Sequence, residues 1–117
     1  MEMTAAGTLE ISGVLYEDAG RWIAQGIEYD ITASGASRDE ASKRFLMKVG
    51  AELVMSLELG DKFPLAGVAQ APAKFWRMFD DATEWFDVDR PPFRVLNEGP
   101  VPRVFPYMKV SELRVAA

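Results

Sequence analysis

The chain has 117 residues, 49% of them hydrophobic and 26% charged, which is the composition of a single globular domain. Its 13 basic and 18 acidic residues leave a net charge of −5, so a surface that binds nucleic-acid phosphates is not expected. The absence of cysteine and histidine excludes disulfides, thiolate ligands and histidine-dependent nucleophiles. The sequence shows no apolar run long enough to cross a membrane and no signal peptide, and we expect a cytoplasmic protein without a membrane partner.

The first predicted elements are short strands. Residues 8–16 alternate apolar and polar side chains, and Gly13 is a candidate for a β-bulge. Residues 17–20 form a polar turn that ends in glycine, which predicts a hairpin with a loop of three to five residues. A second strand is predicted over 21–29, followed by an extended segment over 30–33. Together these segments predict antiparallel pairing.

A long amphipathic helix is predicted from Ser37 to Gly60. Ser37 and Glu40 form a capping-box pattern in which Glu40 reaches back to the amide of Ser37, and Gly60 suits the left-handed conformation that ends a helix. Gly50 weakens the helix by about 1 kcal/mol relative to alanine. Apolar side chains with helical spacing predict the face that covers the sheet. The positions are Ala41, Phe45, Leu46, Val49, Leu53, Val54, Met55 and Leu57.

The second half of the chain predicts a shorter, aromatic helix and irregular strands. Aromatic side chains at helical spacing indicate a helix over 73–86, after Pro72 at its first turn. Residues 93–96 and 101–107 are predicted strands separated by a turn, and their prolines are typical of an edge or irregular strand. The expected fold is α+β in one domain, 1–117. It has an antiparallel sheet of three to four strands with one long helix packed on one face, a second aromatic-rich helix and irregular C-terminal strands.

Three short segments of the first half follow a recognisable pattern. They are Leu-Tyr-Glu-Asp-Ala-Gly-Arg-Trp-Ile-Ala at 15–24, Thr-Ala-Ser-Gly-Ala-Ser at 32–37, and the helix start Arg-Asp-Glu-Ala at 38–41, which is similar to a Ser/Thr-x-x-Glu-Ala start. This pattern resembles the core of the HicB-like antitoxin family, and the resemblance covers residues 9–60. It divides the chain into a core, 8–60, and a C-terminal extension, 61–117.

The resemblance implies a truncated ribonuclease H-like core: three antiparallel strands with a helix and often a fourth strand, without catalytic carboxylates. It also implies a protein that neutralises a small messenger-RNA-cleaving toxin by binding it directly. Where family members commonly have a proline after the second strand, this chain has Gly26-Ile27-Glu28. No DNA-binding helix-turn-helix or ribbon-helix-helix module follows the core in the sequence.

Two sets of acidic residues are candidates for a metal site or for catalysis. Carboxylates of the strand half, Glu10 and Asp30 among them, would have to converge to form a two-metal nuclease centre. Solvated positions on strands and on a helix face are the expectation for both sets, and no cofactor or metal is expected. The strand set is Glu10, Glu17, Asp18, Glu28 and Asp30, and the later set is Asp80, Asp81, Glu84, Asp87 and Asp89.

The candidate interaction residues are the aromatic side chains of the second helix. One short helix rarely needs so many large rings for a core, and aromatic residues are enriched at the centres of interfaces. We therefore predict a partner or dimer interface at Trp76, Phe79, Trp85 and Phe86. A purely core role for these rings is the alternative.

The expected function is protein binding without catalysis, as a homodimer, with a small basic toxin protein as the candidate partner because the acidic excess lies in residues 1–60. A basic group on the long helix, at Arg38, Lys43, Arg44 and Lys48, is interpreted as a solvated face. The alternatives are a metal-dependent nuclease and a phage-related structural or accessory domain.

Overall fold

A computed structural model describes residues 8–61, 63–88 and 103–112. Two helices and five strands are present in this part of the chain. The elements are β1 (Thr8–Asp18), β2 (Arg21–Gly26), β3 (Thr32–Gly35), α1 (Arg38–Glu58), α2 (Ala73–Asp81), β4 (Glu84–Phe86) and β5 (Arg103–Val110).

The strands form one mixed sheet in the order β3-β2-β1-β5-β4. β1, β2 and β3 pair antiparallel in sequence order, as predicted, and β4 pairs antiparallel with β5. β5 runs parallel to β1 over eight residue pairs. The prediction of a wholly antiparallel sheet with three to four strands is therefore wrong, because β5 follows the antiparallel edge strand β4 and enters the sheet beside β1 in the direction of β1.

The β1–β2 hairpin has a tighter turn than predicted. Asp18 pairs with Arg21, so only Ala19 and Gly20 form the loop. Their φ angles are 50° and 80°, both positive as in a type I′ turn, whose twist matches that of the flanking strands. The predicted loop of three to five residues counted the last two residues of β1 as part of the turn.

Gly13 does not form the predicted bulge. The pairing of β1 with β5 continues through it without an extra residue, and the pairing of β1 with β2 begins at Gly13 opposite Gly26. A Cβ atom on Gly13 would lie 2.6 Å from the Sδ atom of Met108. The glycine therefore leaves room for a methionine side chain from the neighbouring strand β5.

α1 begins and ends as the sequence predicts. The amide of Glu40 donates to Ser37 Oγ at 3.1 Å, and the Glu40 carboxylate accepts from the amide of Ala36 at 3.2 Å. The reciprocal bond of the capping box thus goes one residue further back than the predicted Ser37 amide. After the last turn, Gly60 has a φ of 73°, the left-handed conformation expected at a helix C-terminus.

The main core lies between α1 and the sheet. Phe45 and Leu53 are fully buried there against Ile11 and Leu15 of β1. Val54 and Met55 are 38% and 55% exposed, so the prediction that they widen the buried stripe is wrong. The buried arc of α1 is completed instead by small residues, which let the helix lie close to its neighbours. They are Ser42, Gly50 and Ser56.

A second, smaller core lies on the opposite side of the sheet, under α2. Phe75 and Met78 of this helix are buried with Val14 and Tyr16 of β1. The rings of Tyr16 and Phe75 stack with their centroids 5.9 Å apart. Helices therefore cover both sides of the sheet, where the sequence predicted one long helix on one face.

α2 ends five residues earlier than predicted. Ala82 is already extended, with φ −72° and ψ 137°, and residues 84–86 pair with β5 as β4. Trp85 and Phe86 are thus on a strand, because pairing with a distant strand outweighs the local helical spacing. The strand predicted over 101–107 is present as β5, and because β5 lies between β1 and β4, only the edge position among the two predicted settings, edge or irregular, is wrong. The strand predicted at 93–96 and the turn after it lie outside the described residues.

Within the described ranges, neither helix combines the length and apolar character that a membrane span requires.

Candidate partner-binding face

The side of the sheet that faces α2 is only partly covered by that helix. α2 packs on Val14 and Tyr16 of β1, and Ile23 of β2 packs at the margin of the same cluster. The cover therefore lies over β1 and β2. In the described part of the chain, the cluster under α2 includes no residue of β4 or β5.

Three aromatic side chains lie on this side of β4 and β5. The strand register sets Phe105 beside Glu10, Tyr107 beside Ser12, and Trp85 beside Lys109. Alternate residues of a strand point to the same side, so all three aromatic residues lie on the side of α2. We call them the aromatic patch: Trp85, Phe105 and Tyr107, which are 62%, 43% and 39% exposed.

Lys109 contacts both the aromatic patch and α2. Its Nζ atom lies 4.4 Å from the ring centroid of Phe79 on α2 and 4.9 Å from that of Trp85 on β4. The same ammonium donates to the carbonyl oxygen of Phe79 at 3.4 Å. Such cation–π contacts contribute about 0.5–1 kcal/mol at exposed sites. They position the exposed indole of Trp85 beside the helix.

Carboxylates lie on the β1 side of the aromatic patch. Glu10 is exposed next to Phe105 in the neighbouring strand. The Glu28 carboxylate accepts a hydrogen bond from the amide of Ser12 at 2.6 Å. Ser12 is the residue of β1 that pairs with Tyr107, so the Glu28 charge lies one strand away from Tyr107. An aromatic surface with carboxylates at its margin suits a partner that offers apolar and cationic groups together.

A cleft of about 310 Å³ opens where α2 and β5 end and β4 begins, one residue before Trp85 in the chain. Three of its lining residues are acidic and none is basic. One of the three carboxylates, that of Glu84, is also paired with Arg38 at 2.8 Å. The cleft has the size and charge to receive a lysine or arginine side chain. Its lining is Asp81, Ala82, Thr83, Glu84, Val110, Ser111 and Glu112.

The structure separates the four predicted interface residues. Phe79 and Trp85 come together around Lys109. Trp76 is half-buried and its indole Nε1 donates to the carbonyl of Ala71 at 3.1 Å, so it anchors α2 to the preceding segment. Phe86 points to the other side of the sheet and packs against the main core. Only Trp85 is strongly exposed.

Phe105 and Tyr107 are exposed aromatic residues that the sequence did not indicate as candidates for an interface. The available signal was the alternation of aromatic residues at 105 and 107 with Val104, Pro106 and Met108 in a segment read as extended. Such alternation predicts that two rings share one side of a strand. It does not predict that the two rings are exposed, because that depends on where α2 ends.

The acidic residues do not gather into a metal site in the described part of the chain. Among residues 8–61, 63–88 and 103–112, no group of three acidic side chains is arranged to hold an ion. Asp30 accepts from the Gln25 side-chain amide at 2.7 Å, so its carboxylate is engaged in structure. Asp89 lies outside the described residues.

The basic residues of α1 are engaged in contacts within the chain. Arg38 lies over the Trp22 ring at 4.7 Å from its centroid and pairs with Glu84. Lys43 and Arg44 form i,i+4 ion pairs with acidic residues of the first helical turn, at 3.0 and 3.2 Å. Lys48 donates to the carbonyl of Thr32 at 2.6 Å. These contacts fit the interpretation of a charged, solvated face.

Two tyrosines have pKa values displaced by their surroundings. Burial raises the pKa of the Tyr16 phenol, and the nearby Asp18 charge raises it further. Burial likewise raises the pKa of Tyr29, with a smaller contribution from Glu28. Both shifts move the phenol pKa further from neutrality, so both phenols stay protonated near pH 7.

Comparisons of the chain with protein-family models, with curated proteins and with solved structures found no match.

Proposed function

We propose that this chain is a protein-binding domain of the HicB-like antitoxin kind, which acts in the cytoplasm by covering a basic partner protein and carries out no catalysis. The observation that carries the proposal is the aromatic patch next to an acidic cleft. The strand order β3-β2-β1-β5, with β5 parallel to β1, is compatible with the truncated ribonuclease H-like core that the sequence resemblance implies. The proposed mechanism is occlusion of the partner's active surface.

The patch has the chemistry of an interface centre. Tryptophan and tyrosine are enriched among residues that dominate binding energy, since each buries a large apolar area and keeps a polar group for a hydrogen bond. Trp85 is held in place by Lys109 and keeps most of its surface open. It therefore offers a partner contact area at little cost in conformational entropy.

The acidic residues near the aromatic patch favour a basic partner. Glu10 adjoins the patch, Glu28 lies across β1 from it, and three more carboxylates line the cleft at the start of β4. The net charge of −5 gives the whole molecule the same sign. A small basic protein would be attracted by this field and would place a lysine or arginine in the cleft. The same field disfavours direct contact with nucleic acid.

The test is a binding measurement with a small basic protein encoded by the neighbouring reading frame. Trp85→Ala is expected to weaken the complex about 30-fold, the equivalent of about 2 kcal/mol, and Tyr107→Ala to weaken it by a similar order. Phe63→Ala is the matched control, because Phe63 is an aromatic residue that is 46% exposed outside the patch. Isothermal titration calorimetry gives the affinities, and circular dichroism checks that each variant is folded.

If Trp85→Ala, Phe63→Ala and the unchanged chain bind the basic protein with equal affinity, the aromatic patch is not the binding surface. The nuclease alternative is addressed by incubating the protein with RNA or DNA and Mg²⁺ or Mn²⁺. If the protein cleaves nucleic acid only with the cation, and Asp30→Asn and Glu10→Gln abolish the cleavage, the protein is a nuclease and the binding proposal is wrong. Neither that alternative nor an accessory structural role is favoured by a contact in the described residues.

A further inference from the structure

α1 carries apolar residues on the side that faces away from the sheet. Met47 is 59% exposed, Met55 is 55% exposed and Val54 is 38% exposed, and Ala51 between them is exposed as well. Residues four apart on a helix lie on the same side, so 47, 51 and 55 form a continuous line. We call Met47, Ala51, Val54 and Met55 the outer stripe. It lies opposite the buried arc of the same helix.

Charges of opposite sign flank the outer stripe at its two ends. Arg44 and Lys48 lie in the N-terminal half of α1, and Glu52 and Glu58 lie in the C-terminal half. In the described part of the chain, neither Glu52 nor Glu58 has an ion-pair partner. Turning the helix end for end exchanges the basic half for the acidic half. The pattern is therefore complementary to itself in an antiparallel arrangement.

From this pattern we infer that α1 pairs antiparallel with α1 of a second copy of the chain, about a two-fold axis at Ala51. Met47 then faces the partner subunit's Met55, because these two residues are equally far from Ala51. By the same symmetry, Arg44 faces the partner subunit's Glu58, and Lys48 lies beside the partner subunit's Glu52. Two-fold pairing uses the same surface of both copies, as homodimer interfaces commonly do.

Two features favour a second copy of the chain as the partner of α1 and an antiparallel direction of the two helices. Alanine at the axis lets the helices approach to the 8–10 Å that is typical of packed helices. A parallel pair would set Arg44 and Lys48 against their own copies, and like charges at such positions repel. Arg44 pairs with Glu40 and contacts the Ser34 carbonyl, and Lys48 contacts the Thr32 carbonyl. Each cation has further N–H groups that can donate to a partner carboxylate.

The dimer leaves the aromatic patch accessible. The outer stripe is on the α1 side of the molecule, whereas the patch is on the α2 side of the sheet. A dimer formed through α1 would therefore present two aromatic patches outward and bind two partner molecules. The dimer itself does not depend on partner binding, but this two-to-two stoichiometry rests on the proposed function.

Sedimentation equilibrium of the full chain tests the dimer. The unchanged chain is expected to be dimeric at tens of micromolar, and Ala51→Glu to raise the dimer dissociation constant at least about 100-fold by placing two carboxylates at the axis. Ala66→Glu is the matched control, an exposed alanine outside the stripe that receives the same side chain. A chain that is monomeric at about 100 μM, or an Ala51→Glu variant that dimerises like Ala66→Glu, would overturn the inference.

Cysteine cross-linking tests the direction of pairing, and the natural chain has no cysteine to interfere. Disulfides require Cα atoms within about 7 Å, so Ala51→Cys is expected to cross-link with itself and Ala66→Cys is not. A mixture of Met47→Cys and Met55→Cys chains is expected to give mainly the mixed disulfide. Efficient cross-linking of Met47→Cys with itself would indicate parallel helices and contradict the inference.

The two surfaces can be separated by one pair of variants. Ala51→Glu is expected to abolish dimerisation and keep the partner affinity of each chain, whereas Trp85→Ala is expected to weaken the partner and leave the dimer intact. If Trp85→Ala instead abolishes dimerisation, the second copy occupies the aromatic patch and the α1 dimer is wrong. Failure of the partner measurement alone leaves the sedimentation result unaffected.

Discussion

Gly26 illustrates how single residues determine the path of this chain. Its amide donates to the carbonyl of Ile31 at 2.8 Å, so the chain doubles back immediately after β2. A Cβ atom at this position would collide with the carbonyl oxygen of Tyr29 and lie 3.0 Å from the Phe45 ring. The close approach of two backbone segments and a core ring leaves room only for glycine.

We expect Gly26→Ala to lower the free energy of unfolding by about 1–3 kcal/mol, the range for overpacked interior positions. Gly67→Ala is the control, because a Cβ atom there meets nothing within 4 Å. That control is expected to change the stability by less than about 0.5 kcal/mol. Urea unfolding followed by tryptophan fluorescence gives both values, and equal stabilities would show that the β2–β3 loop relaxes around the added methyl group.

At the scale of elements, α1 and α2 differ in what defines their ends. The start of α1 is set by local chemistry, since Ser37 and Glu40 satisfy amides within one turn of each other. The end of α2 is set by distant residues, since Trp85 and Phe86 pair with Lys109 and Met108 of β5. For this reason the first boundary was readable in the sequence and the second was not.

Ser37→Ala is expected to destabilise the protein by about 1 kcal/mol, because the Glu40 amide loses its acceptor. Ser37→Gly should cost only a few tenths of a kcal/mol, because glycine is a tolerated N-cap residue. Thermal unfolding of the two variants beside the unchanged chain measures the difference. A loss for glycine as large as that for alanine would mean that the serine acts through another contact.

At the scale of the whole molecule, β5 joins the two halves of the chain. It lies between β1 and β4, and it supplies Met108 and Val110 to the core under α1. Leu65, from the segment after α1, is fully buried in the same core, and its amide donates to Ser56 Oγ at 2.9 Å. The core formed by residues 8–60 is therefore completed by residues from the extension.

A fragment that ends at residue 60 is consequently expected not to fold by itself. It would expose one edge of β1, lose eight residue pairs with β5, and uncover the apolar residues that Met108 and Val110 bury. Dispersion of amide resonances in a two-dimensional NMR spectrum, compared with that of the full chain, measures the outcome. A well-dispersed spectrum would show that residues 8–60 are an independent folding unit.

The sequence by itself determined the features that depend on neighbours along the chain: the three-stranded antiparallel start, the long capped helix, and the amphipathic side of α1 centred on Phe45. Hydrogen bonds within a turn and the helical period are local, so a linear pattern contains them.

The tertiary structure alone decided that β5 lies parallel to β1, that residues 84–86 form a strand, and that Val54 and Met55 face outward. It also decided the candidate site, because Trp85, Phe105 and Tyr107 lie on one side of the sheet only through pairing between distant strands. Their exposure depends on the point where α2 ends, which no single segment specifies.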